Sequence, residues 1–244
     1  TKGSLHGVIT CEVTSAGKVL KSLPSIEDVV IDTGLNKKQL QELGVEIGTP
    51  LPIEHFPCCT SENGLIFGKA LDNRVGCYVL IELARRLKKG KVKGMPEIYF
   101  VFTVQEEVGS RGAKPSAFNI QPDWGLIIDA TYANDSFEEP SRFIGKGPTI
   151  TIKDGEFIGN KCINGWLRDV ARKNKIPVQL EAIEFGTTDA SMIQTTAGGI
   201  PTSVVCVPVR NIHTSIGIAA IEDIENTILL LEGVMIKPPV VCLV

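Results

Sequence analysis

Two adjacent carboxylates, Glu106 and Glu107, follow an apolar run, residues 98–104, that is rich in β-branched and aromatic side chains. This composition predicts a buried strand, and glycines at 109 and 112 predict a turn directly after it. In an open α/β sheet, ligands bind beyond the carboxyl ends of the strands. One carboxylate at such a place can hold a metal ion while the other moves a proton. A solvated acidic turn explains an isolated Glu-Glu pair equally well.

Three further polar residues stand at comparable places along the chain. Asp72 precedes an apolar helical pattern, Asp129 follows the apolar run 124–128, and His213 comes shortly after the apolar run 201–208. Taken singly, each is better explained as a helix cap or a surface charge. Taken together, carboxylates and an imidazole without a thiolate suit Zn²⁺, Co²⁺ or Mn²⁺, and two such ions would need a bridging carboxylate. Spacing alone leaves a metal site and a set of caps as equal alternatives.

The first sixty-odd residues predict a small β-rich module. A short helix is expected over residues 36–43, with Asn36 as its N-cap and Gly44 just past its end. His6 and His55 lack a second ligand type at metal spacing, so we interpret both as surface or strand histidines. The predicted strands of this module cover residues 7–13, 29–32 and 50–54.

From about residue 64, predicted strands alternate with helices. Interleaving of this kind predicts a mixed central sheet with helices on both faces, a three-layer α/β/α sandwich. We therefore expect a β-rich domain over residues 1–64 and an α/β domain over residues 65–244. The predicted strands are 65–67, 98–104, 124–128, 149–152 and 201–208. One predicted helix begins near residue 72 and another near residue 189. Three more are predicted over residues 113–118, 160–174 and 221–234.

Composition excludes several classes of partner. The net charge is −3 and no long basic run occurs, which argues against nucleic acid or an anionic membrane surface as a partner. No apolar run reaches transmembrane length, and no signal pattern is visible. The seven cysteines contain no Cys-x-x-Cys pair, so neither a zinc knuckle nor a disulfide framework is expected. A cytoplasmic location fits this pattern.

Five motifs occur in order along the chain. They are Ala70-Leu-Asp72-Asn-Arg-Val-Gly76, Val104-Gln-Glu106-Glu107-Val-Gly-Ser-Arg-Gly-Ala113, Ile128-Asp129-Ala-Thr131, Thr187-Thr-Asp189-Ala190 and Val207-Pro-Val-Arg-Asn-Ile-His213-Thr214. Together they resemble one known family, the co-catalytic metallo-aminopeptidases of the glutamyl-aminopeptidase and tetrahedral (TET) type, some of which carry an endoglucanase label. The resemblance covers essentially the whole chain, and residues 1–64 resemble the family's inserted β-domain, which is of the dimerisation type.

The resemblance implies a role for each motif residue. Asp72 would bridge two metal ions, Glu107 and Asp129 would each bind one of them, and His213 would complete one coordination sphere. Glu106 would be the general base that takes a proton from metal-bound water and passes it to the leaving amine. The ions would be Zn²⁺ or Co²⁺, with Mn²⁺ as an alternative.

For Asp189 and Arg74 the residues leave a structural alternative open beside the implied role. Asp189 would contact the substrate amine or support the ligands from outside their sphere, with a helix cap as the plain alternative. Arg74 would orient nearby carboxylates, with a structural salt bridge as the alternative. The resemblance also implies peptide substrates and self-association into dimers, with a dodecamer as the larger assembly.

The chain departs from the family's pattern in two ways. A His-x-Asp motif that lies upstream of the insert and supplies a second histidine ligand does not occur here. We therefore expect upstream residues beyond those in this sequence, an incomplete insert and a catalytic domain that lacks its first strands. Asn73 also stands where the family often has a second Asp, and Asn211 stands for a common Tyr. Neither position is a metal ligand in the family.

The expected activity is removal of N-terminal residues from peptides by a dimetal aminopeptidase. A related deacylase or amidohydrolase on the same metal pair is the nearest alternative, and only an aminopeptidase requires a free amine. An endoglucanase is a weaker alternative, because glycosidases use two carboxyl groups and no metal. The missing His-x-Asp motif leaves a truncated, non-catalytic relative that acts in assembly as a fourth interpretation.

Overall fold

The computed structural model describes residues 5–11, 22–54, 58–90, 94–138 and 140–236. The chain divides into two compact units, residues 1–54 and 55–244. The predicted boundary after residue 64 lies later in the chain than this division, because the strand at 59–60 pairs within the sheet of the larger unit. His55, which the sequence analysis interprets as a surface or strand histidine, lies outside the described residues.

The small unit contains one two-stranded antiparallel sheet and one short helix. Strand β1 (Val8–Cys11) pairs with β2 (Val29–Asp32), and helix α1 spans Lys37–Glu42. Asn36 is its N-cap, as predicted, and its side chain accepts from the Gln39 amide at 3.0 Å while the Gln39 side chain accepts from the Asn36 amide at 2.9 Å. The predicted strand at 50–54 is irregular, because the apolar run there finds no ladder partner within the described part of the unit.

The larger unit is built on a seven-stranded mixed sheet with the order β3-β4-β9-β8-β6-β7, and β5 pairs with β8. The pairs β5–β8 and β6–β7 are parallel, and the remaining pairs are antiparallel. The strands are β3 (Cys59–Thr60), β4 (Leu65–Gly68), β5 (Gly125–Tyr132), β6 (Thr149–Lys153), β7 (Gln179–Ala182), β8 (Thr202–Arg210) and β9 (Gly217–Ala220). The helices are α2 (Leu71–Gly90), α3 (Ala113–Ile120), α4 (Lys161–Asn174), α5 (Asp189–Gln194) and α6 (Ile221–Ile236).

Helices cover both faces of this sheet, which confirms the predicted α/β/α sandwich. On one face, α2, α4 and α6 pack on the strands in the main core. Helix α2 packs there because the four-residue spacing of its apolar side chains forms one stripe that faces the sheet. On the other face α5 packs on β5 and β8 through Ala190, Ile127 and Val204, and α3 packs against α5. The α2 stripe consists of Val75, Val79, Leu83 and Leu87, all buried.

The prediction of a strand at 98–104 is wrong for the structure. The segment has no regular secondary structure, although its side chains alternate as a strand's would. Ile98 and Phe100 pack against the core, whereas Tyr99 and Val101 are exposed. The alternation is local, but a strand also needs a neighbour to complete its ladder of hydrogen bonds. No such neighbour lies beside it within the described ranges.

Two further findings bear on the expected cellular setting. Among the described helices, none is long and apolar enough to cross a membrane. Cys162 is disulfide-bonded, whereas the sequence predicted no disulfide framework. Free thiols belong to Cys58, Cys59, Cys77 and Cys206.

Candidate metal and catalytic site

The sheet topology brings the predicted site residues to one edge. Strands β5 and β8 are parallel, so Asp129 near the end of β5 and His213 just after β8 lie at the same edge. Strand β4 is antiparallel to β9, and β9 is antiparallel to β8, so β4 also runs parallel to β8. Asp72, which follows β4, therefore emerges at that edge as well. This is the edge at which ligands bind in α/β folds.

Asp72 does not act as the N-cap of α2. The backbone at Asp72 and Asn73 is non-helical, with a cis peptide bond between them, so the regular helix begins after Asn73. Asn73 serves as the cap instead, because its Oδ1 accepts from the Gly76 amide at 2.9 Å. Its Nδ2 donates to the Ile128 carbonyl of β5 at 2.8 Å. Capping by Asn73 thus leaves the Asp72 carboxylate available at the sheet edge.

Asp72, Glu107 and His213 form a compact cluster of ligand atoms. His213 Nε2 lies 3.1 Å from Asp72 Oδ2 and 3.6 Å from Glu107 Oε2. One ligand atom from each residue lies within 4.8 Å of the others, close enough to hold one metal ion. The cluster opens into a cleft of about 180 Å³ that is also lined by Lys69 and Asn211.

Asp129 lies inside β5 rather than after a shorter strand that ends at residue 128. Its side chain is buried, and burial raises its pKa well above the usual range, with the charge of Asp72 adding to the effect. Burial raises the pKa of Asp72 itself to about 6; the Glu107 carboxylate adds to this rise, and His213 opposes it. These carboxylates are therefore close enough to repel one another, which is the electrostatic setting that a cation relieves.

Glu106 stands beside this cluster on the same turn as Glu107. Burial raises the pKa of Glu106 to about 7, with further contributions from the charges of Asp189 and Glu107. Ser110 Oγ donates to Glu106 Oε1 at 3.3 Å and lowers the pKa somewhat. A carboxyl group with a pKa near neutrality can both accept and release a proton at physiological pH.

Asp189 is the first residue of α5, but Thr188 is the cap, since Thr188 Oγ1 accepts from the Ala190 amide at 3.2 Å. Asp189 is buried, and its Oδ2 accepts from Thr103 Oγ1 at 2.6 Å. Its Oδ1 is buried without a hydrogen-bond partner in the described part of the chain. An orphaned carboxylate oxygen at this depth is costly unless a ligand or an ion satisfies it. Sequence reasoning did not identify Thr103, although it lies three residues before Glu106.

Arg74 and His6 are not members of this cluster. Arg74 is exposed and forms no ion pair with the residues that the structure describes. His6 belongs to the small unit, where its Nδ1 lies 3.8 Å from Glu54 Oε2 with both side chains largely exposed. His213 is therefore the histidine that the described residues supply to the cluster.

The backbone near the site carries several residues with positive φ. Left-handed backbone is uncommon for residues other than glycine, and it concentrates where a chain must present a side chain at a set angle. Each segment that supplies a cluster residue contains at least one. These residues are Ala70 (φ 51°), Gln105 (φ 59°), Asn211 (φ 55°) and His213 (φ 59°).

An α/β sheet with carboxylates and an imidazole at the carboxyl ends of its strands is typical of metal-dependent hydrolases. Residues 1–230 match the family described as M42 glutamyl aminopeptidase. The chain belongs to this family, which confirms the resemblance seen in the motifs.

Individual relatives agree with this assignment. A putative aminopeptidase of Acetivibrio thermocellus is 44% identical over 168 residues, which are 68% of this chain and 50% of the relative. A TET aminopeptidase from a marine sediment thaumarchaeote superposes with a TM-score of 0.88 at 32% identity, covering 98% of this chain and 69% of the other. The TET1 peptidase of Pyrococcus horikoshii superposes with a TM-score of 0.75 at 30% identity, covering 88% of this chain and 63% of the other. This chain spans 50 to 61% of the length of five curated relatives that it matches.

Proposed function

We propose that this chain carries the catalytic site of a metal-dependent aminopeptidase, which hydrolyses the peptide bond after the N-terminal residue of a peptide. The observation that carries the proposal is the cluster of Asp72, Glu107 and His213, with ligand atoms within 4.8 Å, beside the half-buried Glu106. Membership of an aminopeptidase family supports the reaction class. The three predicted site segments converge on this cluster from separate parts of the chain.

The donor set fits a divalent ion. Two carboxylates and an imidazole match Zn²⁺ or Co²⁺, and Mn²⁺ is compatible with the oxygen ligands. Asp72 would be shared with a second ion, for which Asp129 is the other ligand among the described residues. Bound ions of this kind polarise a carbonyl group and lower the pKa of water toward neutrality. Two ions per chain are therefore part of the proposal.

Glu106 would be the general base in this site. Its carboxylate removes a proton from the attacking water and returns it to the amine that leaves. Glu106 directly precedes the proposed metal ligand Glu107, so its carboxylate would lie beside water held at the cluster. The hydrogen bond from Ser110 Oγ holds the carboxylate in one orientation.

Asp189 would receive the free amine of the substrate. Its unpartnered Oδ1 can accept a hydrogen bond from an ammonium group, and Thr103 fixes the other oxygen. Such a contact would make a free N-terminus a requirement, which separates an aminopeptidase from a deacylase. For Arg74 the orienting role stays a prediction.

Replacement of Glu106 by Gln tests the proposal, because the amide keeps the shape of the side chain and cannot take the proton. We expect hydrolysis of aminoacyl amides to fall about 10²–10⁴-fold, while Co²⁺ binding measured by calorimetry is retained. Glu62→Gln, at an exposed carboxylate away from the cluster, is the matched control and should leave both quantities unchanged. Lost Co²⁺ binding with retained turnover would contradict the assigned roles.

A substrate panel and a chelator separate the alternatives. Aminoacyl amides cleaved in preference to N-acyl amino acids indicate an aminopeptidase, and the reverse preference indicates a deacylase. Cleavage of a glucan that survives a chelator would favour the endoglucanase interpretation. Metal binding with no hydrolysis of any of these substrates would favour the non-catalytic relative.

Self-association and a cytoplasmic location complete the proposal. The P. horikoshii TET1 peptidase can assemble into a tetrahedron or a large octahedral shell. In the small unit of this chain, Val8, Ile9 and Val30 are exposed on β1 and β2, which supports dimer contacts through that unit. The free thiols of Cys58, Cys59, Cys77 and Cys206 agree with a reducing compartment, although the disulfide at Cys162 does not.

A further inference from the structure

The turn that carries His213 is mostly exposed, so packing contributes little to holding it in place. The His213 side chain is 67% exposed, and Asn211 and His213 both have left-handed backbone. Thr214 Oγ1 donates to the Asn211 carbonyl at 2.7 Å, which closes the turn internally without tying it to the sheet. Strand β9 pairs with β8 directly after this turn, so the position of His213 depends on how the paired ends of β8 and β9 are held.

Arg210, the last residue of β8, forms a two-pronged ion pair with Asp135. Its Nε donates to Asp135 Oδ1 at 2.6 Å and its Nη2 donates to Asp135 Oδ2 at 2.7 Å. The Asp135 side chain is only 8% exposed, and the hydrogen bonds from Arg210 lower its pKa. Parallel contacts of this kind fix direction as well as distance, because the guanidinium plane must match both carboxylate oxygens.

Asp135 lies just beyond the strand that carries Asp129. The β5–β8 pairing continues past the end of β5, since the Ala133 amide donates to the Val209 carbonyl at 2.9 Å. Asp135 Oδ2 also accepts from the Ile144 amide at 3.3 Å, which anchors the carboxylate on the loop before β6. One ion pair thus joins the segment after β5, the strand that contains Asp129, to the end of β8, the strand that precedes His213.

We propose that Arg210 and Asp135 are positioning residues that hold His213 at the correct distance from Asp72 and Asp129. The inference rests on the proposed metal-dependent function. Arg210 and Asp135 would contact neither the ion nor the substrate, and would act through the ends of β5 and β8.

The chain contains a matched ion pair away from the site. Arg86 Nη1 and Nη2 donate to the two carboxylate oxygens of Glu225 at 2.7 and 2.8 Å. This pair joins α2 to α6 and is also two-pronged, although Arg86 uses Nη1 and Nη2 where Arg210 uses Nε and Nη2. A general loss of stability should therefore follow from breaking either pair, whereas a change at the metal cluster should follow only from breaking Arg210–Asp135.

The test is titration of the chain with Co²⁺. Calorimetry measures the affinity, and the visible absorption bands of Co²⁺ report its ligand geometry. We expect Arg210→Met and Asp135→Asn each to weaken Co²⁺ affinity about tenfold, as loss of an outer hydrogen-bond partner does, and to shift the absorption bands. The double variant should resemble the single ones, because the two residues form one link. Arg86→Met should bind Co²⁺ with unchanged affinity and spectrum.

Arg210→Lys provides a milder variant that keeps the charge and loses the two-pronged contact. An intermediate loss of affinity with a shifted spectrum supports the inference even where Arg210→Met folds poorly. Unchanged affinity and spectrum in Arg210→Lys and Asp135→Asn, or equal losses in Arg86→Met, would overturn it. Absence of Co²⁺ binding by the unaltered chain would instead overturn the proposed function, so the two failures are distinguishable.

Discussion

The carboxylates of the site and the carboxylate of Asp223 differ in the groups that surround them. At the site, burial raises the pKa values of Asp72, Glu106 and Asp129, and the charges of neighbouring carboxylates raise them further. In the first turn of α6, by contrast, Asp223 is fully buried and accepts from the amides of Gly145 and Gly147 at 2.6 and 2.7 Å. Asp223 has a donor for each oxygen, whereas the site carboxylates mainly face one another.

The difference indicates which carboxylates serve folding and which serve a ligand. Buried carboxylates that stabilise a fold are satisfied by donors within the chain. Carboxylates that face one another raise the free energy of the folded protein and lower the free energy of binding a cation. By this criterion we expect an ion at the edge with Asp72, whereas Asp223 anchors the loop before β6.

The largest effect is expected from Asp72→Asn, which removes a charge from the centre of the acidic cluster. Co²⁺ affinity should fall by more than about 100-fold, beyond the loss caused by removing an outer partner. The stability of the chelator-treated protein should not decrease, since a repulsive charge is removed. Calorimetry and urea unfolding measure the two quantities. A large loss of stability with unchanged Co²⁺ affinity would make Asp72 a structural residue like Asp223.

Asp223→Ala should show the opposite pattern. Two buried backbone amides lose a charged acceptor, so the free energy of unfolding should fall by about 3 kcal/mol. Co²⁺ affinity should be unchanged at temperatures where the variant is folded. Urea unfolding measures the loss, and the exposed neighbour Glu222→Ala is the control, with a change within about 0.5 kcal/mol. A fall in the free energy of unfolding of less than about 1 kcal/mol would contradict the anchoring role of Asp223.

The smallest effect is the pH dependence of stability, which should have opposite signs for the site carboxylates and for Asp135, the partner of Arg210. Burial raises the pKa of Asp223 as well, so its contribution has the same sign as that of the site. In chelator-treated protein, Asp72 and Glu106 have folded pKa values of about 6 and 7, above their usual 3.8 and 4.5. The folded state then binds more protons than the unfolded state, so stability should fall as pH rises from about 4 to about 7. Asp135 has a lowered pKa, so its contribution is present above pH 3.8 and is lost as pH falls further.

Thermal unfolding between pH 4.5 and 7.5 measures this dependence. The melting temperature of the chelated protein should decrease by a few degrees across the range, and the variants Asp72→Asn and Glu106→Gln should flatten the slope. Added Co²⁺ should stabilise more at pH 7.5 than at pH 4.5, because its ligands must be deprotonated. A melting temperature that rises with pH in the presence of chelator would show that the site carboxylates are satisfied within the chain.

Local signals in the sequence predicted much of this arrangement. The stripe on α2 and the Asn36 cap depend on spacings of three and four residues, and the structure has both. The five motifs identified the family and therefore the fold, because they retain the order and residue types of a known site. These features are short-range or ordered along the chain, so they can be read without knowing which segments meet.

Features that depend on which segments meet were not visible in the sequence. The capping roles of Asn73 and Thr188, which leave Asp72 and Asp189 facing the site, depend on the backbone path at each helix start. The segment 98–104 has the pattern of a strand, but pairing requires a neighbour that the pattern does not specify.

The sequence by itself therefore determined the family, the α/β class and the residue types available for chemistry. Only the tertiary structure decided which side chains meet. Arg210 pairs with Asp135 across 75 positions and Thr103 with Asp189 across 86. Contacts at such separations follow from strand register and sheet order, which many residues set together and no local spacing encodes.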